Sequence, residues 1–258
     1  MTAIAAGAPS LDIGKVIGAT FGVLGRNLAP FLGLTALLVG APTALVSIGV
    51  LDLMGDPSSL NIGPETFGLF GIGFLVSIIT NAVLQGALIY GTIRDLNGAR
   101  ASFGECLAMG LRNFVPVILL SLLMAVALVV GFLLFIVPGV MMLVAWCVAV
   151  PSLVSEQTGI VGAFGRSAEL TRGNRWRIFG LMLLFVVLSW IVGLLVSPLS
   201  LAAMAMGPQG MVVSQMIANS VSGVINALIG ATGASVIYVE LKRLKEGVSP
   251  DALAALFD

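Results

Sequence analysis

The chain has 258 residues, of which 59% are apolar and only 9% are charged, whereas soluble domains are about 45–50% apolar and about 25% charged. Together with a mean hydropathy of +1.13, this composition excludes a soluble globular fold, because so little polar surface could not cover a core in water. The 12 Lys and Arg residues balance 12 Asp and Glu residues, and a net charge of zero argues against nucleic acid as a partner.

Six apolar stretches make up most of the chain, and a helix needs about 20 such residues to cross the hydrocarbon core of a bilayer. They cover residues 28–51, 67–93, 114–136, 140–154, 178–206 and 211–241. We therefore predict an all-α integral membrane protein with six transmembrane helices. It forms a single membrane domain over residues 1–258, with a cytoplasmic tail at 248–258.

The fourth stretch, 140–154, is short, since it reaches only about 22 Å at 1.5 Å per residue. The turn before it, Ile136-Val137-Pro138-Gly139, is almost wholly apolar and contains two helix breakers. We expect the third and fourth stretches to form a tight hairpin. Its tip either crosses the membrane fully or stays within it as a re-entrant loop, because both ends of the hairpin face the same side in either case.

Basic residues are confined to four short polar stretches, and Lys and Arg that flank membrane spans stay in the cytoplasm. The four stretches contain Lys15 and Arg26; Arg94, Arg100 and Arg112; Arg166, Arg172, Arg175 and Arg177; and Lys242, Arg243 and Lys245. The connections on the opposite side contain no Lys or Arg. This pattern predicts a multi-pass protein of the bacterial cytoplasmic (inner) membrane with both termini in the cytoplasm.

A short segment with apolar residues at helical spacing precedes the first, third and fifth spans, which predicts an amphipathic helix lying on the membrane. Ser102 and Glu105 predict a capping box at the start of the second of these helices. Gly173 predicts the C-cap of the third. The chain is therefore a threefold repeat of one interfacial helix and one hairpin, over about 10–98, 101–156 and 159–247.

An asparagine marks each junction between an interfacial helix and the following span. The three junction residues are Asn27, Asn113 and Asn174. Because an asparagine oxygen accepts hydrogen bonds from free backbone N–H groups, we expect each one to cap its span.

The segment GAFGRSAELTRGNRWRIFGLMLL resembles a motif of a bacterial integral-membrane family. That family includes the membrane domain fused to some glycerophosphodiester phosphodiesterases. The positions that fit the motif are Ser167, Glu169, Leu170, Thr171, Gly173 and Asn174. The segment VPGVMMLVAWCVAVPSLV also resembles the span that precedes this motif in the family. The resemblance implies a membrane fold and no catalysis, because the hydrolase domain of the fused proteins is absent from these residues.

The residues needed for hydrolytic chemistry are missing or badly spaced. The chain contains no histidine, and its acidic residues do not have the spacing of metal ligands or of a general acid–base pair. We therefore predict that the protein is not an enzyme and uses no cofactor and no metal. Asp52, Asp56 and Glu65 share one external loop, where a solvated loop is favoured over a weak cation site.

Amide side chains form the polar part of two spans. Asn81 and Gln85 lie four residues apart in the second span, and Gln215, Asn219 and Asn226 share one face of the sixth. In hydrocarbon, such groups either hold neighbouring helices together by hydrogen bonds or line a substrate cavity. Both interpretations are open at this point.

The third basic stretch is the best candidate for a binding surface. It contains Arg166, Arg172, Arg175, Trp176 and Arg177. Guanidinium groups can pair with lipid phosphates in a bidentate manner, but the same residues also serve to orient a span. The two roles are compatible.

These features predict a structural or scaffolding protein that binds anionic lipid through its interfacial helices and shapes the membrane, either alone or as a homo-oligomer. Two alternatives are kept. The first is a transporter or lipid-handling protein with a cavity between the repeats. The second is an accessory subunit of a membrane complex.

Overall fold

The computed structural model describes residues 10–40, 42–43, 64–204 and 207–247, and within these ranges the chain is helical with no strand. The predicted all-α fold is thus confirmed for this part of the chain. The successive helices are α1 Ile13–Arg26, α2 Leu28–Thr35, α3 Pro64–Leu96, α4 Phe103–Leu134, α5 Ile136–Ala145, α6 Ala149–Glu156, α7 Gly159–Thr171, α8 Arg175–Met204 and α9 Gly207–Glu246. A short π-helical segment, Ala36–Gly40, continues α2.

Five helical segments in the described ranges are long and apolar enough to cross a membrane, or six if the bent pair α1–α2 counts as one span. They are Gly71–Leu96, Phe103–Leu134, Ile136–Glu156, Arg175–Pro198 and Ile217–Glu246. The chain is therefore a multi-pass membrane protein by length and composition. The second part of the predicted first span (41 and 44–51), the loop residues Asp52 and Asp56, and the tail at 248–258 lie outside the described residues, whereas Glu65 lies in the first turn of α3.

The first predicted junction is a sharp bend. α1 and α2 meet at 79° on either side of Asn27. The Asn27 side chain makes no capping bond to α2 within the described structure; its Nδ2 atom donates to Val23 O at 3.0 Å and to Asp95 Oδ1 at 2.8 Å. The prediction that Asn27 caps the span was wrong, because a carboxylate on α3 offers its amide a stronger, charge-assisted partner.

The second predicted junction is absent. α4 is one helix of 32 residues that continues through Asn113 and Pro116. Asn113 Nδ2 donates back to Met109 O at 2.9 Å and therefore does not cap a new helix. A proline costs one helical hydrogen bond but is tolerated in membrane helices, so the expected break between an interfacial helix and the third span does not occur.

The predicted capping box is confirmed at the start of α4. Ser102 Oγ accepts a hydrogen bond from Glu105 N at 3.2 Å, and Glu105 Oε2 accepts one from Ser102 N at 2.8 Å. The end of α7 also agrees with the sequence, since Gly173 follows it with φ of +90°, a conformation that favours glycine. Asn174 Oδ1, expected to cap α8, instead accepts a bond from Leu11 N at 3.1 Å.

α4 and α5 form the expected hairpin, but the turn is shorter than predicted. Only Phe135, in an extended conformation, separates the two helices. Pro138 lies within the first turn of α5, where its missing N–H costs no hydrogen bond. Gly139 allows close approach, because a Cβ atom there would lie 2.6 Å from the Phe132 ring. The tip exposes Leu133, Leu134, Phe135, Ile136 and Val137.

α9 is the most buried of the candidate spans, whereas α4 and α8 expose most of their surface. α9 packs on α8, α3 and α1, and Tyr238 at its C-terminal part is fully buried. Since outward-facing residues on α4 and α8 are large and apolar, they are suited to contact with lipid. α9 is thus the central helix of the described structure.

The backbones of α3 and α4 approach each other very closely where the two helices cross. A Cβ atom at Gly110 would lie 2.3 Å from the Val83 carbonyl oxygen, and one at Gly86 would lie 3.1 Å from Gly110 Cα. Small residues at such a crossing let two helix backbones approach, which is a common source of stability between membrane helices.

Gly110→Ala should therefore destabilise the protein by about 2 kcal/mol, since overpacking against a backbone atom forces the helices apart. Gly104→Ala, on the same helix, is the matched control, because a Cβ atom there meets nothing within 4 Å. Unfolding of both variants in mixed micelles would check this. Equal stability of the two variants would contradict the proposed crossing.

The position of the hairpin tip can be measured in lipid. Ile136 and Val137 border the same cavity as Trp176 at the start of α8, so the tip lies near the beginning of that span. We expect spin labels at Val137→Cys and Trp176→Cys to lie much closer together than the roughly 30 Å of a bilayer core.

A pair at Trp176→Cys and Leu195→Cys on α8 provides the scale for that measurement, since these positions are separated by about 28 Å along one helix. A short distance between Val137 and Trp176 would favour the re-entrant alternative. If the distance equalled or exceeded that of the control pair, the hairpin would cross the membrane fully and the re-entrant alternative would be wrong.

Candidate functional site

The four basic stretches meet at one end of the helix bundle. Lys15 on α1 pairs with Glu240 on α9 at 2.9 Å, and Arg26 pairs with Asp95 at the end of α3 at 2.5 Å. Arg166 on α7 pairs with Glu246 on α9. Because each of these ion pairs joins two different helices, the pattern of charge in the sequence corresponds to a single charged surface in the structure.

Glu156, at the end of α6, is the centre of this charged surface. Its carboxylate accepts hydrogen bonds from Arg166 Nε at 2.8 Å, Lys242 Nζ at 2.8 Å and Tyr238 Oη at 2.7 Å. The side chain of Lys242 is only 7% exposed. A buried ammonium group needs such a partner, because the removal of each ion from water costs roughly several kcal/mol.

Arg166 is held within this network. Burial would lower the pKa of its guanidinium group, but hydrogen bonds to Glu156 and Glu246 outweigh that effect and raise the pKa overall. Arg166 therefore stays charged and is oriented toward protein carboxylates. Of the five residues predicted to bind lipid headgroups, it is the one most fully engaged by protein carboxylates.

The other members of that predicted set occupy the loop and first turn before α8. Arg177 Nη1 donates to the Leu11 carbonyl at 2.8 Å, which ties the N-terminal segment to α8. Arg172 is exposed, and Trp176 is 85% exposed. Arg175 is half-buried, and its Nε atom has no hydrogen-bond partner among the described residues.

Arg175 and Trp176 line a cavity of about 340 Å³, which we call the interfacial cavity. The remaining lining residues are apolar and come from α5 and the beginning of α8. They are Ile136, Val137, Val140, Met141, Val144 and Phe179. A guanidinium group thus lies at the edge of an apolar cavity that the sequence did not predict.

The predicted amide cluster is brought together only in part. Asn81, Gln85 and Asn226 line one cavity of about 420 Å³ between α3 and α9. Asn219 is exposed and does not line this cavity, and the side chain of Gln215 lies outside the described structure. Asn81 Nδ2 donates to Ser77 O on its own helix at 2.8 Å and does not bond to α9.

A second cavity of about 480 Å³ adjoins the first, and the two share Cys147, Val150, Asn226, Gly230 and Ala234. We call the pair the membrane cleft. The Oδ1 atom of Asn226 is buried and accepts no hydrogen bond from any described residue. Asn226 lies about 24 Å along α9 from Lys242, at 1.5 Å per residue, so this part of the cleft is well separated from the charged surface.

Several residues of these sites had no recognisable signal in the sequence. Glu156, Tyr238 and Lys242 are far apart in the chain, and only the packing of α6 against α9 brings them together. One partial signal was present: Lys242 follows Tyr238 by four residues, which places both on one face of a helix.

The acidic residues and cysteines of the described ranges do not gather into a metal site. No group of three or more His, Cys, Asp or Glu residues there is arranged to hold a metal ion. The two cysteines are free; Cys106 is buried against α3, and Cys147 lines the membrane cleft.

The fold and the charged surface define a multi-pass helical membrane protein. The chain belongs to the family described as Domain of unknown function (DUF7847), whose model matches residues 11–241. Searches of curated proteins and of solved structures found no match to this chain. The family match covers all the helices that form the charged surface, apart from the last turn of α9.

Glu156→Gln should destabilise the fold by about 3 kcal/mol, because it leaves Lys242 buried without a counter-charge. Glu169→Gln is the control; that carboxylate pairs with the same Arg166 at 3.5 Å but is 68% exposed, and exposed pairs contribute about 1 kcal/mol or less. Reversible unfolding in mixed micelles would compare the two. A similar loss of stability in both variants would show that Glu156 is not the centre of the network.

Proposed function

We propose that this protein is a non-enzymatic component of the bacterial cytoplasmic membrane that binds anionic phospholipid and acts as a structural or membrane-shaping scaffold. The observation that carries the proposal is the interfacial cavity, in which an apolar pocket and a guanidinium group with an unpaired Nε atom lie side by side. An anionic phospholipid has the matching chemistry, with a phosphate next to an acyl chain.

The chemistry of the cavity supports this ligand. Arginine binds phosphate through several N–H donors at once, and Arg172 adds an exposed positive charge three residues before Arg175. Trp176 stands at the boundary, where tryptophan is favoured because its ring is amphipathic. The hairpin tip supplies the apolar wall.

The charged surface supports a cytoplasmic orientation for this end. All four basic stretches contribute to it, and each is linked to at least one other by an ion pair or hydrogen bond. Basic clusters beside spans stay in the cytoplasm and attract the anionic lipids of that leaflet. Both termini would then be cytoplasmic.

The predicted interfacial helices support a scaffold. Exposed apolar side chains project from each of the three segments: Ile13 and Phe21 from α1, Phe103 and Leu111 from the first part of α4, and Val161 from α7. Apolar residues on otherwise polar helices insert into the boundary between headgroups and acyl chains. The threefold repeat, a homo-oligomer and a relation to the membrane domain of glycerophosphodiester phosphodiesterases stay predictions.

The membrane cleft favours a second function, as a transporter or lipid-handling protein. Two adjoining cavities, one of them lined by three amides, are the arrangement expected of a ligand site between membrane helices. An accessory role in a membrane complex is the third alternative, and exposed apolar surface on α4 and α8 is compatible with it.

Enrichment of anionic lipid around the protein tests the first function. The wild-type protein, reconstituted with equal amounts of phosphatidylglycerol and phosphatidylcholine, should retain phosphatidylglycerol preferentially after extraction, as measured by native mass spectrometry. In the double variant Arg172→Gln and Arg175→Gln this preference should fall by roughly tenfold or more, since one charged hydrogen bond contributes about 1.5–3 kcal/mol and about 1.4 kcal/mol corresponds to tenfold.

The matched control is the double variant Arg100→Gln and Arg112→Gln. It removes the same charge from two exposed arginines of the second basic stretch that do not line the interfacial cavity. It should keep the preference for phosphatidylglycerol. If both double variants lost the preference equally, binding would depend on overall charge and the proposed site would be wrong.

A further inference from the structure

We propose that the membrane cleft binds a neutral lipid that carries a free hydroxyl group, such as a diacylglycerol or a long-chain alcohol. The proposal rests on the second function given above and names its ligand. It does not depend on the binding of anionic lipid at the interfacial cavity, because the two sites share no lining residue.

One arm of the cleft suits an acyl or alkyl chain. The 480 Å³ cavity is lined mostly by apolar side chains from five helices, among them Met124, Leu128, Met182 and Phe185. Methionine side chains adapt to ligands of irregular shape. The volume falls within the range of about 300–1,000 Å³ that is typical of ligand pockets.

The other arm supplies the polar contacts. Asn81, Gln85 and Asn226 line the 420 Å³ cavity, and Asn226 stands where the two arms meet. Its buried Oδ1 atom has no donor among the described residues, and an unpaired acceptor in an apolar setting is destabilising. A ligand with an O–H donor would satisfy it.

The charge of the ligand is restricted by the lining. Within the described structure, no Asp, Glu, Lys or Arg side chain lines either arm. A phosphate or carboxylate at this depth would be without a counter-charge, which is costly in hydrocarbon. The lining therefore selects neutral amphiphiles over the anionic lipids proposed for the interfacial cavity.

Two glycines on α9 keep the cleft open. Gly223 and Gly230 line it, and a Cβ atom at either position would meet nothing within 4 Å. A large side chain at Gly230 can therefore enter the cleft without a clash at its Cβ atom. Gly193 on α8 also has open space around it but lines neither arm.

The test measures retention of three probes by the purified full-length protein: dioleoylglycerol, its methyl ether and phosphatidylglycerol. Wild-type protein should retain dioleoylglycerol over the methyl ether by roughly two- to twelvefold, the ratio that corresponds to one hydrogen bond of about 0.5–1.5 kcal/mol. Asn226→Leu should abolish this ratio, because it removes the acceptor. Gly230→Leu should reduce retention of both neutral probes, because it fills the cleft.

Gly193→Leu is the control and should bind all three probes as the wild type does. Equal retention of dioleoylglycerol and its methyl ether by the wild type would overturn the proposal. Unchanged retention of the neutral probes by Gly230→Leu would also overturn it, and this result can be obtained even if Asn226→Leu does not fold. Retention of phosphatidylglycerol measures binding at the interfacial cavity. Loss of its retention alone would contradict the anionic-lipid function and leave this proposal standing.

Discussion

The rest of the structure depends on one interaction, a buried cluster of opposite charges around Glu156. This carboxylate is bonded to Arg166 on α7 and to Tyr238 and Lys242 on α9. Charged groups at a membrane boundary have a high desolvation cost, which falls when each one has a close partner. The cluster therefore fixes the short helices α6 and α7 against the central helix and defines which end of the bundle is charged.

That constraint explains why two different binding environments can exist in one small membrane protein. At the charged end, Arg175, whose Nε atom has no partner among the described residues, lies next to the apolar hairpin tip. Deeper along α9, the lining has amides but no charge in the described structure. Since lipid headgroups and lipid tails separate by depth in a bilayer, the two environments suit the two kinds of lipid that we propose as ligands.

Much of the fold could be predicted from the sequence because its signals are local. Apolar runs predict membrane helices, and Ser102 with Glu105 predicts a capping box; both signals depend on residues within one or a few turns. The errors arose where distant residues intervene. Asn27 bonds to Asp95 and Asn174 bonds to Leu11, so neither is available as a cap, and the sequence near each asparagine does not reveal its partner.

The candidate sites were less predictable for the same reason. Arg175 and Trp176 were identified as a basic, aromatic pair, but their apolar neighbours come from the hairpin tip, about 40 residues earlier in the chain. Asn226 was identified as an amide within a span, and only the packing of α3 and α9 shows that it faces the same cavity as Asn81 and Gln85. Periodicity in the sequence shows which residues share a face of a helix. It does not show which other helix packs against that face.

The central claim is that the four basic stretches form one surface on the cytoplasmic side of the membrane. Labelling of single cysteines with a membrane-impermeant maleimide tests it most directly, with Cys106 and Cys147 replaced by alanine and cysteine introduced at Arg100 and at Arg172, which are both exposed. The account predicts that both positions react in inside-out vesicles and that neither reacts in intact cells. Labelling of either position from outside intact cells would contradict it.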